Sequence, residues 1–351
     1  MNGGTAGALP GRRAGITPSR RLRLALLALV LVAVVSVSFE VGEYPVNPLT
    51  VAKILLAQVL PLARTWSPTA QTVVLDIRLP RLLAALLVGG ALASSGATYQ
   101  NVFRNPLVSP DILGVSAGAS FGAALAITLG ESLWAIEVIA FAGGVAAAAA
   151  SFLIARAFAG RSPIVLVLGG VVIAAFFSAL VSILVYIADP LTTLPEIEFF
   201  LLGGLSSVTN GQLAWAAAIT IPAGLVLFLF RWPVNVLASG REEAQTLGVR
   251  QDRVWLVVVA TATVMTAAVV CISGIIGWVG LLVPHMARMV MGSKYPDVLP
   301  ASALLGAAFL LAVDTVARNV AYGGLPLGAL TAIIGAPFFL LLLVRTFGGD
   351  G

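Results

Sequence analysis

Long stretches without Asp, Glu, Lys or Arg dominate the chain. Nine of them lie at residues 24–39, 82–103, 112–130, 138–155, 162–188, 199–230, 254–287, 298–313 and 319–344. A helix needs about 20 apolar residues, with a range of about 17–25, to cross the hydrocarbon core of a bilayer. Seven of these runs have 18 or more residues and the other two have 16, so nearly all of them are long enough, or almost long enough, to span a membrane. The pattern therefore predicts an all-α, polytopic membrane protein.

The run at 254–287 is too long for one ordinary span. Ser273, Gly274 and Gly277 interrupt it, and Pro284 follows. Glycine clusters and proline favour breaks between helices. We therefore predict one helix near 254–272 and a shorter one near 276–291, which brings the total to about ten transmembrane helices.

The basic residues predict the orientation. With the N-terminus inside, 15 of the 20 Lys and Arg residues face the cytoplasm, and the other five are Lys53, Arg64, Arg78, Arg81 and Arg318. Because cytoplasmic loops carry the excess of positive charge, this distribution favours cytoplasmic N- and C-termini. We expect a disordered cytoplasmic tail at 1–22 and one transmembrane domain at 23–347, with 232–253 as its longest inner connection.

Composition excludes several classes of protein. The chain is 59% hydrophobic and 10% charged, whereas soluble domains carry about 25% charged residues. The net charge of +5 is spread over short loops, which indicates membrane anchoring and argues against nucleic-acid binding. One cysteine, Cys271, and one histidine, His285, cannot supply the four ligands of a structural zinc site.

Charged residues near the predicted outer mouth allow two interpretations. Arg78 and Arg81 lie at the start of the second span, and we expect both side chains to reach water. They either anchor the helix at the membrane surface or form a docking patch for an acidic partner. Asp314 lies four residues before Arg318, so the two share a helix face. We expect Asp314 to orient or neutralise Arg318, in a structural or a functional pair.

The longest inner connection contains a short capped helix. Ser239 at the N-cap, Glu242 three residues later and Gly248 at the C-terminal end predict a helix at 240–247. Ala244 and Leu247 give it a small apolar face. Such a rigid helix either transmits force from a cytoplasmic partner or is a loop helix without a partner, and the sequence leaves both open.

The chain lacks a nucleotide-binding phosphate loop, and its one match to a catalytic motif lies in the wrong structural context. The chain has no G-x-x-x-x-G-K-[ST] phosphate loop, and neither Lys53 nor Lys294 follows a glycine. If ATP drives this protein, a second protein must bind it. The segment 114–118 (GVSAG) matches a nucleophile elbow, but it opens an apolar helix, where small residues favour close helix packing.

Motifs spread along most of the chain resemble the FecCD family of ABC importer permeases. They are RLPR (78–81), NPL (105–107), SPDILGV (109–115), GREEAQTLG (240–248), GWVGLLVPHMAR (277–288), DTVAR (314–318) and LPLG (325–328). The resemblance implies a ten-helix subunit in the cell membrane that pairs with a second permease subunit. It also implies two ATP-binding subunits, which hold ATP and Mg, and an extracytoplasmic substrate-binding protein. No cofactor is expected in this chain.

The resemblance also assigns roles to residues. It makes 232–253 the cytoplasmic coupling loop, in which the ATPase contacts are Arg241, Glu242, Glu243, Ala244, Thr246, Leu247 and Gly248. The arginines Arg78, Arg81 and Arg318 would dock the binding protein. Asn105 and Leu107 would form the inner gate, with Ser162 of the next inner loop as a weaker match. Many relatives carry an acidic residue where this chain has Gly324.

The cargo is left open among several chelates and oxyanions. A ferric siderophore is the first expectation, with haem, cobalamin and molybdate as alternatives within the family. A different class, an ion-coupled secondary transporter, needs an ionisable residue near the membrane midplane. The sequence shows none there, and Asp314 comes nearest to one.

Overall fold

The protein is predominantly helical in the part that the computed structural model describes, which comprises residues 19–42, 44–159, 163–237, 241–320 and 324–347. No β-strand occurs within these ranges, so the predicted all-α class is confirmed. The helices are α1 (Arg20–Glu40), α2 (Pro48–Leu56), α3 (Pro68–Thr72), α4 (Leu79–Val102), α5 (Val115–Thr128), α6 (Leu133–Ala159), α7 (Pro163–Ile187), α8 (Thr193–Leu202), α9 (Asn210–Leu229), α10 (Arg231–Leu237), α11 (Arg241–Thr246), α12 (Gln251–Ser273), α13 (Val279–Met291), α14 (Tyr295–Val320) and α15 (Leu327–Phe347).

The long helices occupy the positions of the predicted spans. Six helices in the described ranges are long and apolar enough to cross a membrane, namely α1, α6, α7, α9, α12 and α14. Shorter apolar helices are α5, α13 and most of α15, and α4 has 24 residues. This architecture is that of a multi-pass membrane protein, while the total of about ten spans and the orientation of the termini stay predictions.

The predicted break in the long apolar run is confirmed. Helix α12 ends at Ser273 and α13 begins at Val279. Gly274 has a φ of 64°, a backbone conformation that glycine adopts without steric penalty. The backbone N–H of Gly204 donates to the carbonyl of Ser273 at 2.8 Å, which holds the break against the end of α8.

Helix α4 forms the centre of the bundle. Sixteen of its 24 residues are buried, and it packs against α9, α12, α13 and α14. The most apolar 18-residue window of α12 is 72% buried, whereas the corresponding windows of α1 and α7 are 11% and 22% buried. Helices α1 and α7 therefore leave most of their apolar surface for lipid or another subunit.

Glycines bring α4 into close contact with its neighbours, as the small residues predict. Gly89 lies against the backbone of Gly306 in α14, and Gly96 lies against that of Gly280 in α13. A β-carbon at either α4 position would collide with a carbonyl group of the facing helix. Such contacts let helices associate in lipid through van der Waals packing.

Replacing one of these glycines is expected to weaken the fold. Gly96→Val inserts a branched side chain where Gly280 leaves no room, and overpacking of this kind costs about 1–3 kcal/mol. The matched control is Gly224→Val in α9, where no heavy atom lies within 4 Å of the added β-carbon. Thermal unfolding in detergent should show a lower melting temperature for Gly96→Val alone; equal melting temperatures would contradict the packing account.

Long-range contacts identify the two ends of the bundle. At one end Arg20 forms an ion pair with Asp297, and the Arg23 guanidinium donates to the Val290 carbonyl at 2.8 Å. These contacts join the start of α1 to the end of α13 and the start of α14. We call this the inner end, because it carries the basic residues predicted to be cytoplasmic, and the opposite one the outer end.

Candidate functional site

The short helix predicted at 240–247 is present as α11. Ser239 and Gly240 lie outside the described residues, and the helix itself spans Arg241–Thr246. Gly248 has a φ of 74°, and its N–H donates to the Gln245 carbonyl. The left-handed glycine therefore ends the helix, as the sequence predicts.

The expectation that Ala244 and Leu247 share one apolar face is wrong. Ala244 is fully buried against the bundle, whereas Leu247 is 57% exposed. The helix ends at Thr246, so Leu247 lies in the following turn and no longer follows helical spacing. The two residues therefore have different roles. Ala244 anchors the segment to the bundle, and Leu247 presents an apolar side chain to the solvent.

A concave surface adjoins this turn. A cavity of about 540 Å³ is lined by Gln245, Gly248, Val249, Arg250, Gln251, Asp252 and Arg253. It lies between the end of α11 and the start of α12 at the inner end. Its charged lining and the exposed Leu247 beside it suit the side chains of a folded partner.

The predicted gate residues lie in a turn that follows α4 at the inner end. The Asn105 side-chain oxygen accepts from the Leu107 backbone N–H at 2.9 Å, which shapes the turn. Leu107 is 56% exposed, so its apolar side chain is available to another subunit. Ser162 lies outside the described residues, and its assignment to the gate stays a prediction.

Arg104 connects the turn after α4 to the end of α10. Its guanidinium donates to the carbonyl of Leu237, the last residue of α10. Arg104 has a φ of 49°, which is uncommon for a residue with a side chain. The Asn235 side chain accepts from the Tyr295 N–H at 3.1 Å and so ties α10 to α14.

The outer arginines differ from the prediction in their accessibility. Arg78 is only 5% exposed, and its guanidinium donates to the carbonyls of Phe39 and Tyr44. The expectation that this side chain reaches water is therefore wrong. Phe39 lies in the last turn of α1, where backbone carbonyls have no partner within the helix, and Tyr44 lies in the segment that follows. The two hydrogen bonds tie Arg78, just before α4, to this end of α1.

Asp314 pairs with a different arginine than expected. Its carboxylate accepts from the Arg81 guanidinium at 2.9 Å, and the two side chains are 1% and 18% exposed. Arg318 instead donates to the side chain and the carbonyl of Ser38. Sequence spacing favoured the pair within α14, but the approach of α4 to α14 decides the contact.

Gly324 lies close to the same arginine. Its φ is 82°, and a β-carbon at this position would stand 3.7 Å from Nη2 of Arg81. An acidic side chain here would therefore compete with Asp314 for Arg81. Because this chain has glycine, Asp314 is the carboxylate that neutralises Arg81 among the described residues.

One buried carboxylate was missed by the sequence analysis. Glu137 of α6 is 1% exposed, and neither carboxylate oxygen has a hydrogen-bond partner within the described residues. The side chain of Gln212 in α9 is its polar neighbour. Glu137 stands at the start of a charge-free run in the sequence, so run lengths alone predict a boundary there and not a buried group.

The serine of the G-x-S-x-G segment has a structural contact. Its hydroxyl, at Ser116, donates to the carboxylate of Asp111 in the short 3₁₀ helix Pro110–Leu113. Ser116 is buried, and the only histidine, His285, lies on α13. This arrangement fits the start of a helix and lacks the serine–histidine contact of a hydrolase.

Comparisons with known proteins agree with this architecture. The FecCD transport family model matches residues 26–345. The chain is 38% identical over 320 residues to the molybdate import system permease protein MolB of Haemophilus influenzae, covering 91% of this chain and 94% of that protein. It is 41% identical over 277 residues to a probable iron chelatin transport system permease protein of Helicobacter pylori, covering 79% and 83%.

A solved structure gives the same fold. It is described as an inward-facing conformation of a metal-chelate type ABC transporter, with a TM-score of 0.81 and 37% identity, and it covers 93% of this chain and 99% of that one. The fold and the inner-end segments thus define a permease subunit of an ABC importer. The chain belongs to the FecCD transport family.

Proposed function

We propose that this chain is the permease subunit of a binding-protein-dependent importer for ferric siderophores. Membership of the family makes it a transport subunit that works with ATPase and substrate-binding subunits in a permease dimer. The observation that carries the ATP-driven part of the proposal is Leu247, which is exposed at the inner end beside the charged cavity at 245–253, in a chain without a phosphate loop. ATP and Mg are then held by the partner.

The proposed ATPase contact is the segment from Arg241 to Gly248. Ala244 packs it onto the bundle, so a displacement of the segment moves the helices that follow. The contact of Arg104 with Leu237 extends the connection to the turn at Asn105 and Leu107. ATP binding in the partner thereby shifts the population between outward- and inward-open states.

The gate assignment predicts a cross-link that depends on nucleotide. Leu107→Cys places a thiol at an exposed position, while the native Cys271 is buried and contributes little background. In the assembled transporter, cross-linking between the two permease subunits should change when ATP is replaced by ADP. Leu129→Cys at the outer end is a matched exposed control. A yield at Leu107→Cys that is the same in every nucleotide state would contradict the gate.

The cargo proposal rests on the iron-chelate relative and the metal-chelate type structure. Molybdate is the second candidate, because the relative described as a molybdate permease matches over nearly its whole length. The deciding experiment purifies the substrate-binding protein that associates with this permease and measures its metal content. Iron held by an organic chelate supports the proposal, and molybdenum would reassign the cargo.

Binding-protein docking is proposed for the outer arginines with a narrower role than the sequence suggests. Arg81 and Arg318 are half-buried at the outer end, and Arg78 is covered by the end of α1. Any acidic partner must therefore approach Arg81 and Arg318 or displace the carbonyls around Arg78. Such charges mainly set encounter rate and register.

Glu137 is the residue that an ion-coupled mechanism would use, because it is a buried carboxylate within a span. The ABC assignment predicts that an imposed proton gradient without ATP drives no uptake in proteoliposomes, for the wild type and for Glu137→Gln alike. Gradient-driven uptake that Glu137→Gln abolishes would instead establish the secondary-transporter class.

A further inference from the structure

A second cavity opens at the inner end, between the last turns of α4 and α13 and the start of α14. Its volume is about 280 Å³, and it is lined by Ala97, Gln100, Asn101, Arg104, Asn105, Pro106, Arg288, Ser293, Tyr295 and Val298. Two lining residues are arginines, and none of the described lining residues is Asp or Glu. The wall is therefore positive and polar.

The charge of Arg288 is not neutralised by a carboxylate among the described ion pairs. Its guanidinium donates to the side-chain oxygen of Gln100, a neutral acceptor, and Gln100 donates in turn to the Leu281 carbonyl at 3.1 Å. The nearby acidic residue Asp297 pairs with Arg20. Because a half-buried charge is unfavourable without a counter-charge, this site favours an anion.

Further donors converge on the same cavity. Arg104 is exposed at its mouth, and its bond to the Leu237 carbonyl uses only part of its five N–H groups. The side-chain oxygen of Asn101 is buried without a hydrogen-bond partner. Asn101 is thus a cavity-lining residue whose side chain has an unused hydrogen-bonding group.

We infer that this cavity binds a phosphate-class oxyanion. Guanidinium groups match phosphate oxygens with paired N–H donors. Basic pockets between membrane helices on the cytoplasmic side bind the headgroups of anionic lipids. The phosphate belongs either to such a headgroup or to free inorganic phosphate, and in both cases it bridges the ends of α4 and α13 beside the Asn105 turn.

The test uses the purified full-length chain in an uncharged detergent, and its readout is independent of transport. Melting temperature is recorded against increasing phosphatidylglycerol, phosphatidylcholine or inorganic phosphate. Phosphatidylglycerol or inorganic phosphate should stabilise the wild type, and Arg104→Gln should weaken that binding about tenfold through loss of charge-assisted hydrogen bonds. Arg288→Gln should weaken the binding in the same way if this variant folds.

Arg21→Gln is the matched control, since Arg21 is an exposed inner-end arginine on α1 outside the cavity. Stabilisation by phosphatidylglycerol alone identifies the lipid as the source, and stabilisation by inorganic phosphate identifies the free anion. The inference is overturned if neither stabilises the chain, or if Arg104→Gln and Arg21→Gln weaken binding equally. It is also overturned if the cavity is covered only when the ATPase subunit is bound, because the cavity would then belong to the interface between permease and ATPase.

Discussion

Leu247→Asp is expected to abolish ATP-driven uptake while leaving the protein inserted in the membrane. Leu247 is exposed in the isolated chain, so the change does not disturb the core. Burial of a leucine side chain in an interface contributes about 1.5–3 kcal/mol, and a buried, unpaired carboxylate adds a further penalty. We therefore expect the ATPase to be lost during purification of the complex.

A matched control separates this effect from a general surface effect. Leu129→Asp introduces the same change at a leucine that is 65% exposed at the outer end, and it should retain the ATPase. The double change Glu242→Lys with Glu243→Lys examines the charged part of α11 and should also uncouple transport. Recovery of the ATPase at wild-type yield with normal uptake in Leu247→Asp would contradict the assignment of 241–248.

Arg81→Glu is expected to destabilise the whole permease. It removes the partner of Asp314, whose side chain is 1% exposed, and places a like charge beside it. Breaking a buried ion pair by removing one partner costs about 3–5 kcal/mol. Yield and melting temperature in detergent should both fall, whereas Arg64→Glu, at an exposed outer residue, should change neither.

Exchanging the pair distinguishes stability from docking. Arg81→Asp combined with Asp314→Arg restores opposite charges and should recover part of the lost stability. The exchanged variant has no arginine at position 81. Once its stability is recovered, its rate of association with the binding protein reports on docking separately from stability. A single Arg81→Glu variant with wild-type stability would show that the contact between Arg81 and Asp314 is not structural.

Local signals were enough to predict the long helices and a few of the short elements of this fold. The charge-free runs, the glycines near Gly274 and the left-handed Gly248 each act within a few residues of the element that they define. The long helices, the division between α12 and α13 and the short α11 were predictable for that reason.

Contacts between distant segments were not predictable in the same way. The partner of Asp314 lies 233 residues away in the chain. The carbonyls around Arg78 belong to Phe39 in the last turn of α1 and to Tyr44 in the segment that follows. The buried Glu137 of α6 has Gln212 of α9 and Cys271 of α12 as neighbours, and both are more than 70 residues away in the chain. Charge spacing within one helix cannot show which neighbouring helix supplies the counter-charge.

The central claim is that this chain imports its cargo with energy supplied by an ATPase partner. Its most direct test is uptake of the binding-protein-delivered cargo into proteoliposomes that contain the permease and its ATPase. The account predicts uptake that requires hydrolysable ATP on the ATPase side and is insensitive to an ionophore that collapses ion gradients. Uptake that proceeds without ATP and stops when the ionophore is added would contradict it.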